Sequence, residues 1–379
     1  NSKMGETLSA LSLRNQPKEK ENGHDHFFDS FRRFAAAVPS EEDLLREQVG
    51  RAISQKIRYL ELMTEPPREE EAIRTWLQQM EAARRETISQ AGGAWNVDVA
   101  YIVPINRNAL PDSLQSGPWN QEVYEEFFTQ EVRQALTSIV RFSDQGIRSL
   151  TFLDPEDSWI SRTQFAAQMR ILDREWRRLV AENPANADKL KVNLHAGELT
   201  LAYSPYEPMR NRISQSTALG HASRIGHGLS IQWEDDVYGL LRQMRDHKTA
   251  VEICLTSNDG ILNVAGGDKH PFRLYWNADV PVTLCTDDEG ISRSNLTMEY
   301  ARAAQWFGLS YGHLKWLAFS SLEYSYLPGE SLFINGDFNR LKTAPPQGSV
   351  KAALEQQLRE DFQRFEADME RNILLMKRR

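Results

Sequence analysis

Short apolar runs rich in β-branched residues alternate along this chain with longer segments in which apolar residues recur every three to four positions. The first pattern predicts buried strands, and the second predicts amphipathic helices. Seven runs qualify as strands, at 58–63, 97–103, 147–153, 192–195, 223–227, 250–255 and 281–286. Strands that alternate with helices are typical of a parallel sheet built from βα units.

The helical pattern is clearest in the segments 121–142 and 161–180. Ser161, followed three positions later by Gln164, predicts a capping box at the start of the second of these helices. The C-terminal part of the chain predicts helices separated only by loops rich in Pro and Gly, and a last helix over 350–376.

The alternation predicts an α/β fold, a (β/α)8 TIM barrel with extra helices at the C-terminus. Eight parallel strands close such a barrel, and seven are visible, so we expect the first strand to precede residue 1. The predicted organisation is an N-terminal helical segment at 1–40, a barrel at 41–310, and a helical extension at 311–379 that packs on the barrel.

The amino-acid composition excludes some classes of protein and makes others less expected. The 379 residues include 45 Lys and Arg against 53 Asp and Glu, a net charge of −8, with 40% hydrophobic residues. This acidic chain gives no electrostatic reason to expect binding to nucleic acid or to an anionic membrane. Two cysteines, Cys254 and Cys285, exclude a disulfide scaffold. The first residues contain no apolar segment that would indicate a signal peptide.

Polar residues directly follow four consecutive predicted strands. His-Ala-Gly-Glu occupies 195–198, His227 ends the next strand, Thr-Ser-Asn occupies 256–258, and Asp287 and Asp288 follow the last strand. In a βα barrel these strand ends share one face, and that face carries the active site.

Taken singly, these residues have ordinary structural explanations. A histidine at a strand end is often only hydrogen-bonded, and adjacent aspartates such as Asp287 and Asp288 often cap a helix. Gly226 and Gly228 serve equally well as turn residues. Their joint placement favours catalysis, because caps and turns give no reason for catalytic residue types to gather on one rim.

The donor types on this rim suit a metal-dependent hydrolase. His195 and Asp287 offer the nitrogen and oxygen ligands of a catalytic Zn²⁺, which lowers the pKa of its water to about 7. Glu198 lies close enough to act as a general acid or base, and His227 is placed to steer the water. Asp288 is placed to grip the substrate.

The order of these motifs, H-A-G-E, R-I-G-H-G, T-S-N and T-D-D, resembles the adenosine/AMP deaminase family of metal-dependent hydrolases. Further segments at 22–31, 285–300 and 320–332 resemble a bacterial adenosine deaminase-like subgroup. Members of this subgroup are often preceded by a secretory signal. The resemblance therefore favours a periplasmic or secreted protein, with a cytoplasmic location as the alternative.

The resemblance implies a zinc-dependent enzyme that deaminates adenosine or a related aminopurine nucleoside by hydroxide attack at C6, releasing ammonia. It implies that His195 and Asp287 bind Zn²⁺ and that Glu198 protonates the purine ring. It further implies that His227 orients the hydroxide, and that Asp288 and Gly197 bind the substrate. The oligomeric state stays open.

Two departures from the family pattern qualify these expectations. The family's first motif, H-x-H-L, is absent; the only H-x-H, at His24 and His26, opens a segment of helical period, so two further histidine ligands are expected upstream of residue 1. Asp154 stands where the family has a glycine that contacts the purine. The alternatives are therefore a related metal-dependent hydrolase acting on another substrate and a catalytically silent purine-binding protein.

Overall fold

In the computed structural model of the protein, which describes residues 11–13, 23–34 and 39–377, seven strands form one parallel sheet in sequential order. All seven predicted strands are present. Their bounds are β1 Tyr59–Met63, β2 Asp98–Asn106, β3 Ile147–Leu153, β4 Lys191–Ala196, β5 Arg224–His227, β6 Ala250–Ile253 and β7 Val282–Leu284.

Contacts across the sheet show that it curls. Arg224 on β5 forms ion pairs with Glu61 on β1, at 2.5 Å, and with Glu252 on β6, at 2.8 Å. Since β1 and β5 are separated by three strands in the sheet order, they can meet only across its concave side. The curled sheet and its surrounding helices form a (β/α)8 barrel-like fold, as predicted.

The chain divides into two compact units, Asn1–Leu309 and Ser310–Arg379. The helices of the first unit are α1 Gly23–Phe34, α2 Glu41–Ser54, α3 Glu70–Gln90, α4 Asp112–Gln115, α5 Gln121–Phe142, α6 Trp159–Glu182, α7 Asn186–Lys189, α8 Arg212–Ala218, α9 Val237–His247, α10 Leu255–Leu262, α11 Phe272–Asn277, α12 Glu289–Ser292 and α13 Leu296–Phe307. Short 3₁₀ helices occupy Ser143–Gln145, Leu229–Trp233 and Gly267–Lys269.

Helix α6 shows how the apolar pattern produces the packing. Phe165, Met169 and Leu172 are buried along one face, as their spacing predicts. The prediction of its first residue was wrong: Ser158, not Ser161, caps the helix, and its Oγ accepts the Ser161 backbone N–H. The helix therefore begins closer to the end of β3, where the polar rim lies.

Helix α1 packs over the carboxyl-terminal ends of the strands. Its buried Phe27 belongs to an apolar cluster with residues that follow β5, β6 and β7, namely Leu229, Ile261, Leu262 and Ile291. The prediction that the segment with His24 and His26 is helical is confirmed. Within the part of the chain that the structure describes, none of the helices combines the length and apolar character needed to cross a membrane.

The second unit contains α14 Tyr311–Glu323, a two-stranded antiparallel hairpin of β8 Phe333–Ile334 and β9 Asp337–Leu341, and α15 Val350–Lys377. Its apolar cluster includes Phe319, Leu332, Phe333 and Ala352. Strand β8 lies in a predicted loop, but the prediction of helix was wrong where β9 lies, because the two strands are too short to show a clear alternation. The predicted domain boundaries, and the packing of this segment on the barrel, stay predictions.

Candidate functional site

The site residues predicted on different strands lie together at the carboxyl-terminal rim. His195 belongs to β4, His227 is the last residue of β5, and Asp287 follows β7. One ligand atom from each of these three side chains lies within 4.8 Å of the others. Nitrogen and oxygen donors this close together are a suitable arrangement for a divalent metal such as zinc.

The backbone at this rim is unusual. His227 and Asp287 have φ values of 65° and 54°, and Asp154, at the end of β3, has 87°. Residues other than glycine rarely adopt this left-handed region, and such strain clusters at functional sites. Asp154 thus retains the backbone conformation that favours glycine, the residue the family has at this position.

His195 is held as a neutral imidazole. Burial, together with the neighbouring His227, keeps the pKa of His195 well below its usual range. The Thr151 hydroxyl lies 3.1 Å from its Nδ1. A neutral imidazole with one nitrogen hydrogen-bonded is the form in which histidine binds a metal.

Glu198 is a buried carboxyl group beside the two histidines. Burial raises its pKa to about 7, and Asp287 contributes in the same direction while His227 opposes it. Its Oε1 lies 3.4 Å from Nδ1 of His227 and makes no hydrogen bond within the described residues. A buried carboxyl that titrates near neutral pH and has an unpaired oxygen is suited to proton transfer to a ligand.

Glu156, to which the sequence analysis assigned no role, positions this turn. Its carboxylate accepts the backbone N–H groups of Gly197, at 3.0 Å, and Glu198, at 2.9 Å. Two buried arginines neutralise it: Nε of Arg212 lies at 2.7 Å and Nη1 of Arg107 at 3.5 Å. Despite burial, these charges lower the pKa of Glu156 to about 2. The carboxylate therefore anchors the backbone that carries Glu198.

Arg107 ties the same anchor to the strands. Its Nη2 donates to the carbonyl oxygens of Phe152, at 2.6 Å, and His195, at 2.7 Å. The sequence carried one signal for this cluster, the glutamate two positions after Asp154 in the family pattern. Its arginine partners lie about fifty positions away on either side, so their involvement could not be read from local spacing.

Gly197 lies in a tight turn. Its N–H is bonded to Glu156, and its carbonyl accepts the Ser230 N–H at 2.9 Å. Its φ is 87°, and a Cβ there would lie 2.6 Å from the Ser230 hydroxyl, so only glycine fits. The backbone groups of Gly197 are thus used inside the protein, and its predicted substrate contact stays a prediction.

Asp288 faces an environment that disfavours its charged form. Burial, followed by the Asp287 and Glu198 carboxyls, raises the pKa of Asp288 well above its usual range. It precedes helix α12 but makes no side-chain capping hydrogen bond. The alternative interpretation of this residue as a conventional helix cap is therefore not supported.

Two residues of the predicted Thr-Ser-Asn segment make contacts in different parts of the structure. Thr256 turns away from the rim, because its N–H and hydroxyl bond Glu299 on α13. Asn258 turns towards the rim, and its Nδ2 lies 3.0 Å from Nδ1 of His227. The amide oxygen of Asn258 lies 3.2 Å from Nε2 of His270, a buried residue that was not predicted from the sequence.

Comparison with known proteins identifies the family. The family model described as adenosine deaminase matches residues 5–332. The chain belongs to the adenosine deaminase family. It is similar to the human N6-methyl-AMP deaminase, with 24% identity over 313 residues, covering 82% of this chain and 78% of that protein. It is also similar to the adenosine deaminase of Enterococcus faecalis, with 30% identity over 152 residues, or 40% and 42% of the two chains.

Solved structures of similar proteins share the fold. The arabidopsis ADAL protein complexed with IMP has a TM-score of 0.58 at 18% identity, covering 96% of this chain and 88% of that one. An adenine deaminase from Arthrobacter aurescens has a TM-score of 0.60 at 17% identity, covering 94% of each chain. An amidohydrolase from Burkholderia ambifaria with bound Zn has a TM-score of 0.56 at 14% identity, covering 96% and 88%. The predictions of a barrel-like fold and of a deaminase-family enzyme are confirmed.

Proposed function

We propose that this protein is a zinc-dependent aminohydrolase that deaminates an adenine nucleoside or a related aminopurine. The observation that supports this most directly is the convergence of His195, Asp287 and the buried acid Glu198 on one rim. The ligand atoms of His195 and Asp287 lie within 4.8 Å of His227, and Oε1 of Glu198 lies 3.4 Å from its Nδ1. Family membership supplies the reaction class, and the site supplies the groups that the reaction needs.

The residues at the rim fit a zinc ion. His195 and Asp287 would hold it. His195 is kept neutral, and Oε1 of Glu198, beside His227, has no hydrogen-bond partner among the described residues, which suits a metal with an open position. When bound, zinc supplies an activated water at neutral pH.

The chain's own residues would bind and protonate the base. Glu198, with its pKa raised to about 7, holds a proton that it can donate to a ring nitrogen, while Glu156 fixes the turn on which it sits. Burial and the neighbouring carboxyls raise the pKa of Asp288 well above its usual range, which favours the protonated form. A protonated carboxyl donates a hydrogen bond, which is what the acceptor N7 of a purine requires.

The names of similar proteins indicate which substrates should be tested. Proteins similar to this one are named for deamination of N6-methyl-AMP, adenosine and adenine. Asp154 differs from the usual glycine in its side chain, and its carboxylate accepts a hydrogen bond from Asn108 at 3.1 Å. We propose that the Asp154 side chain, on a backbone that follows the glycine conformation, modifies which purine derivative is preferred.

The test is release of ammonia or methylamine from adenosine, adenine, AMP and N6-methyl-AMP by this protein, with zinc content measured in parallel. We expect about one zinc per chain and turnover of one member of the panel. Glu198→Gln should retain zinc and lower kcat by about 10²–10⁴-fold.

Other results would select the alternatives. Zinc without release of amine from any member of the panel would indicate a related hydrolase of another substrate. Tight purine binding without zinc would indicate a silent binding protein. The variant Glu175→Gln, in α6 and bonded to arginines rather than to the rim, is the control for a carboxyl-to-amide change away from the site, and it should turn over substrate like the parent protein.

A further inference from the structure

A chain of buried hydrogen bonds leads away from the rim behind His227. Nδ1 of His227 lies 3.0 Å from Nδ2 of Asn258, and Oδ1 of Asn258 lies 3.2 Å from Nε2 of His270. Nδ1 of His270 in turn accepts the backbone N–H of Phe272 at 3.1 Å. The three side chains are at most 3% exposed. These bonds are therefore shielded from bulk solvent.

The direction of every bond in this chain follows from the backbone amide at its far end. The Phe272 N–H can only donate, so Nδ1 of His270 must be an acceptor. Burial lowers the pKa of His270 to about 3, so the ring is neutral and carries its one hydrogen on Nε2. That hydrogen is donated to Oδ1 of Asn258, which leaves the Asn258 NH2 group to donate to His227.

The opposite orientation of the Asn258 amide is excluded by the same reasoning. With the amide rotated, its NH2 group would face the N–H of His270, and its oxygen would face Nδ1 of His227. Two donors would then oppose each other in a buried site, where an unmade hydrogen bond costs about 1–3 kcal/mol. The chain has one polarity.

We infer that His270 is a positioning residue that acts through Asn258 to hold the neutral His227 ring in the tautomer with its hydrogen on Nε2. This inference rests on the proposed function for its catalytic meaning, but the tautomer is a property of the protein alone. It makes the remaining ring nitrogen of His227 a hydrogen-bond donor. A donor there can orient the attacking oxygen and is not available as a metal ligand.

The neighbouring acid is consistent with this tautomer. Oε1 of Glu198 lies 3.4 Å from Nδ1 of His227 and has no hydrogen-bond partner in the described part of the chain. If the neutral ring carried its hydrogen on Nδ1, that hydrogen would be shared with Glu198. With Nδ1 as an acceptor, the oxygen of Glu198 is left for the substrate.

The test is nitrogen NMR of the full chain labelled with ¹⁵N-histidine, at alkaline pH where the His227 ring is neutral. His227 is assigned from the signals that disappear in His227→Gln. We expect a protonated Nε2 and an unprotonated Nδ1 in the parent protein. The variant Asn258→Asp places a carboxylate, which only accepts, between the two rings, and should move the His227 hydrogen to Nδ1.

Two variants of His270 separate positioning from packing. His270→Gln retains a donor towards Asn258 and should keep the parent tautomer, whereas His270→Leu removes the donor and should give a mixture of tautomers. On the deaminase substrate found in the panel, Asn258→Asp should lower kcat at least about tenfold with little change in KM, and His270→Gln should stay close to the parent.

Several outcomes would overturn the inference. A hydrogen on Nδ1 of His227 in the parent protein, or an unchanged tautomer in Asn258→Asp, would contradict the polarity of the chain. An unchanged kcat in an Asn258→Asp protein whose tautomer has switched would contradict the positioning role. Absence of deaminase activity with the expected tautomers would instead contradict the proposed function and leave the assignment of the hydrogen bonds intact.

Discussion

Replacing Glu156 by glutamine is the most informative single change at the rim. The carboxylate is 4% exposed, accepts two backbone N–H groups at the Gly197 turn, and lies against Arg107 and Arg212. Glutamine has almost the same shape but no charge and only one acceptor atom. The change therefore leaves two buried guanidinium groups without a counter-charge and one backbone N–H without an acceptor.

The magnitude follows from the carboxyl's own titration. Lowering its pKa from 4.5 to about 2 corresponds to about 3 kcal/mol of stability at neutral pH. Removing one partner of a buried ion pair typically costs about 3–5 kcal/mol, in agreement. Burial lowers the pKa of Arg107 to about 10, so that cation is costly to bury and still charged at pH 7. Glu156 is the group that offsets this cost.

The assay is thermal and urea unfolding of Glu156→Gln, with kcat measured on the same samples. We expect a loss of about 3–5 kcal/mol and at least a tenfold lower kcat, because the backbone of Glu198 loses its anchor. The folded pKa lies below the unfolded value, so the contribution of Glu156 is present above the unfolded pKa. It should be lost as the pH falls towards about 2.

Glu175→Gln is the matched control. Its carboxyl also has a pKa lowered to about 2 and is bonded by arginines, but Arg133, Arg174 and Arg178 are 52%, 57% and 35% exposed. The Glu175 carboxyl is 2% exposed, but its arginines regain water when the charge is removed, so the loss of stability should be smaller than in Glu156→Gln, and kcat should match the parent. A loss of kcat in Glu175→Gln equal to that in Glu156→Gln, or a Glu156→Gln protein as stable as the parent, would refute the reasoning.

Three further results are expected. His195→Ala should lower the zinc content measured by elemental analysis, whereas His221→Ala, which removes a ring stacked on Trp176, should leave it unchanged. Asp288→Ala should lower kcat/KM about tenfold or more through loss of a donor to the base, and Asp288→Asn, which keeps an N–H, should retain more; equal losses would argue against donation. Glu355→Gln should unfold at a higher temperature than the parent at alkaline pH and at the same temperature near pH 4. This follows because burial, with the Glu323 carboxyl, raises the Glu355 pKa to about 8, and a raised carboxyl pKa costs stability as the pH rises towards that value.

The strands of this protein could be predicted because a parallel sheet covered on both faces requires continuous apolar runs. Residues such as His195 and Asp287 could be placed on one rim for a related reason, since the ends of successive strands in a barrel share a face. The serine that caps α6 could not be identified from the sequence. Ser158 and Ser161 both precede the apolar period of this helix, and the local pattern does not show which of them is the cap.

The residues that support the site could not be predicted from local sequence patterns. Glu156 meets Arg107 and Arg212 only after β3, the loop following β2, and α8 come together. His270 lies twelve positions from Asn258, and the polarity of their hydrogen bond depends on one backbone N–H. Groups of this kind are specified by long-range contacts, so they leave no periodic trace in the sequence.

The left-handed backbone at His227 and Asp287 has a consequence for laboratory evolution. A glycine at either position would relieve about 1–2 kcal/mol of conformational strain. Selection by heat challenge alone would therefore enrich glycine at two positions whose side chains we propose to act at the rim. Libraries built to improve the thermal tolerance of this enzyme should hold both codons constant and take their gains from the outer helices.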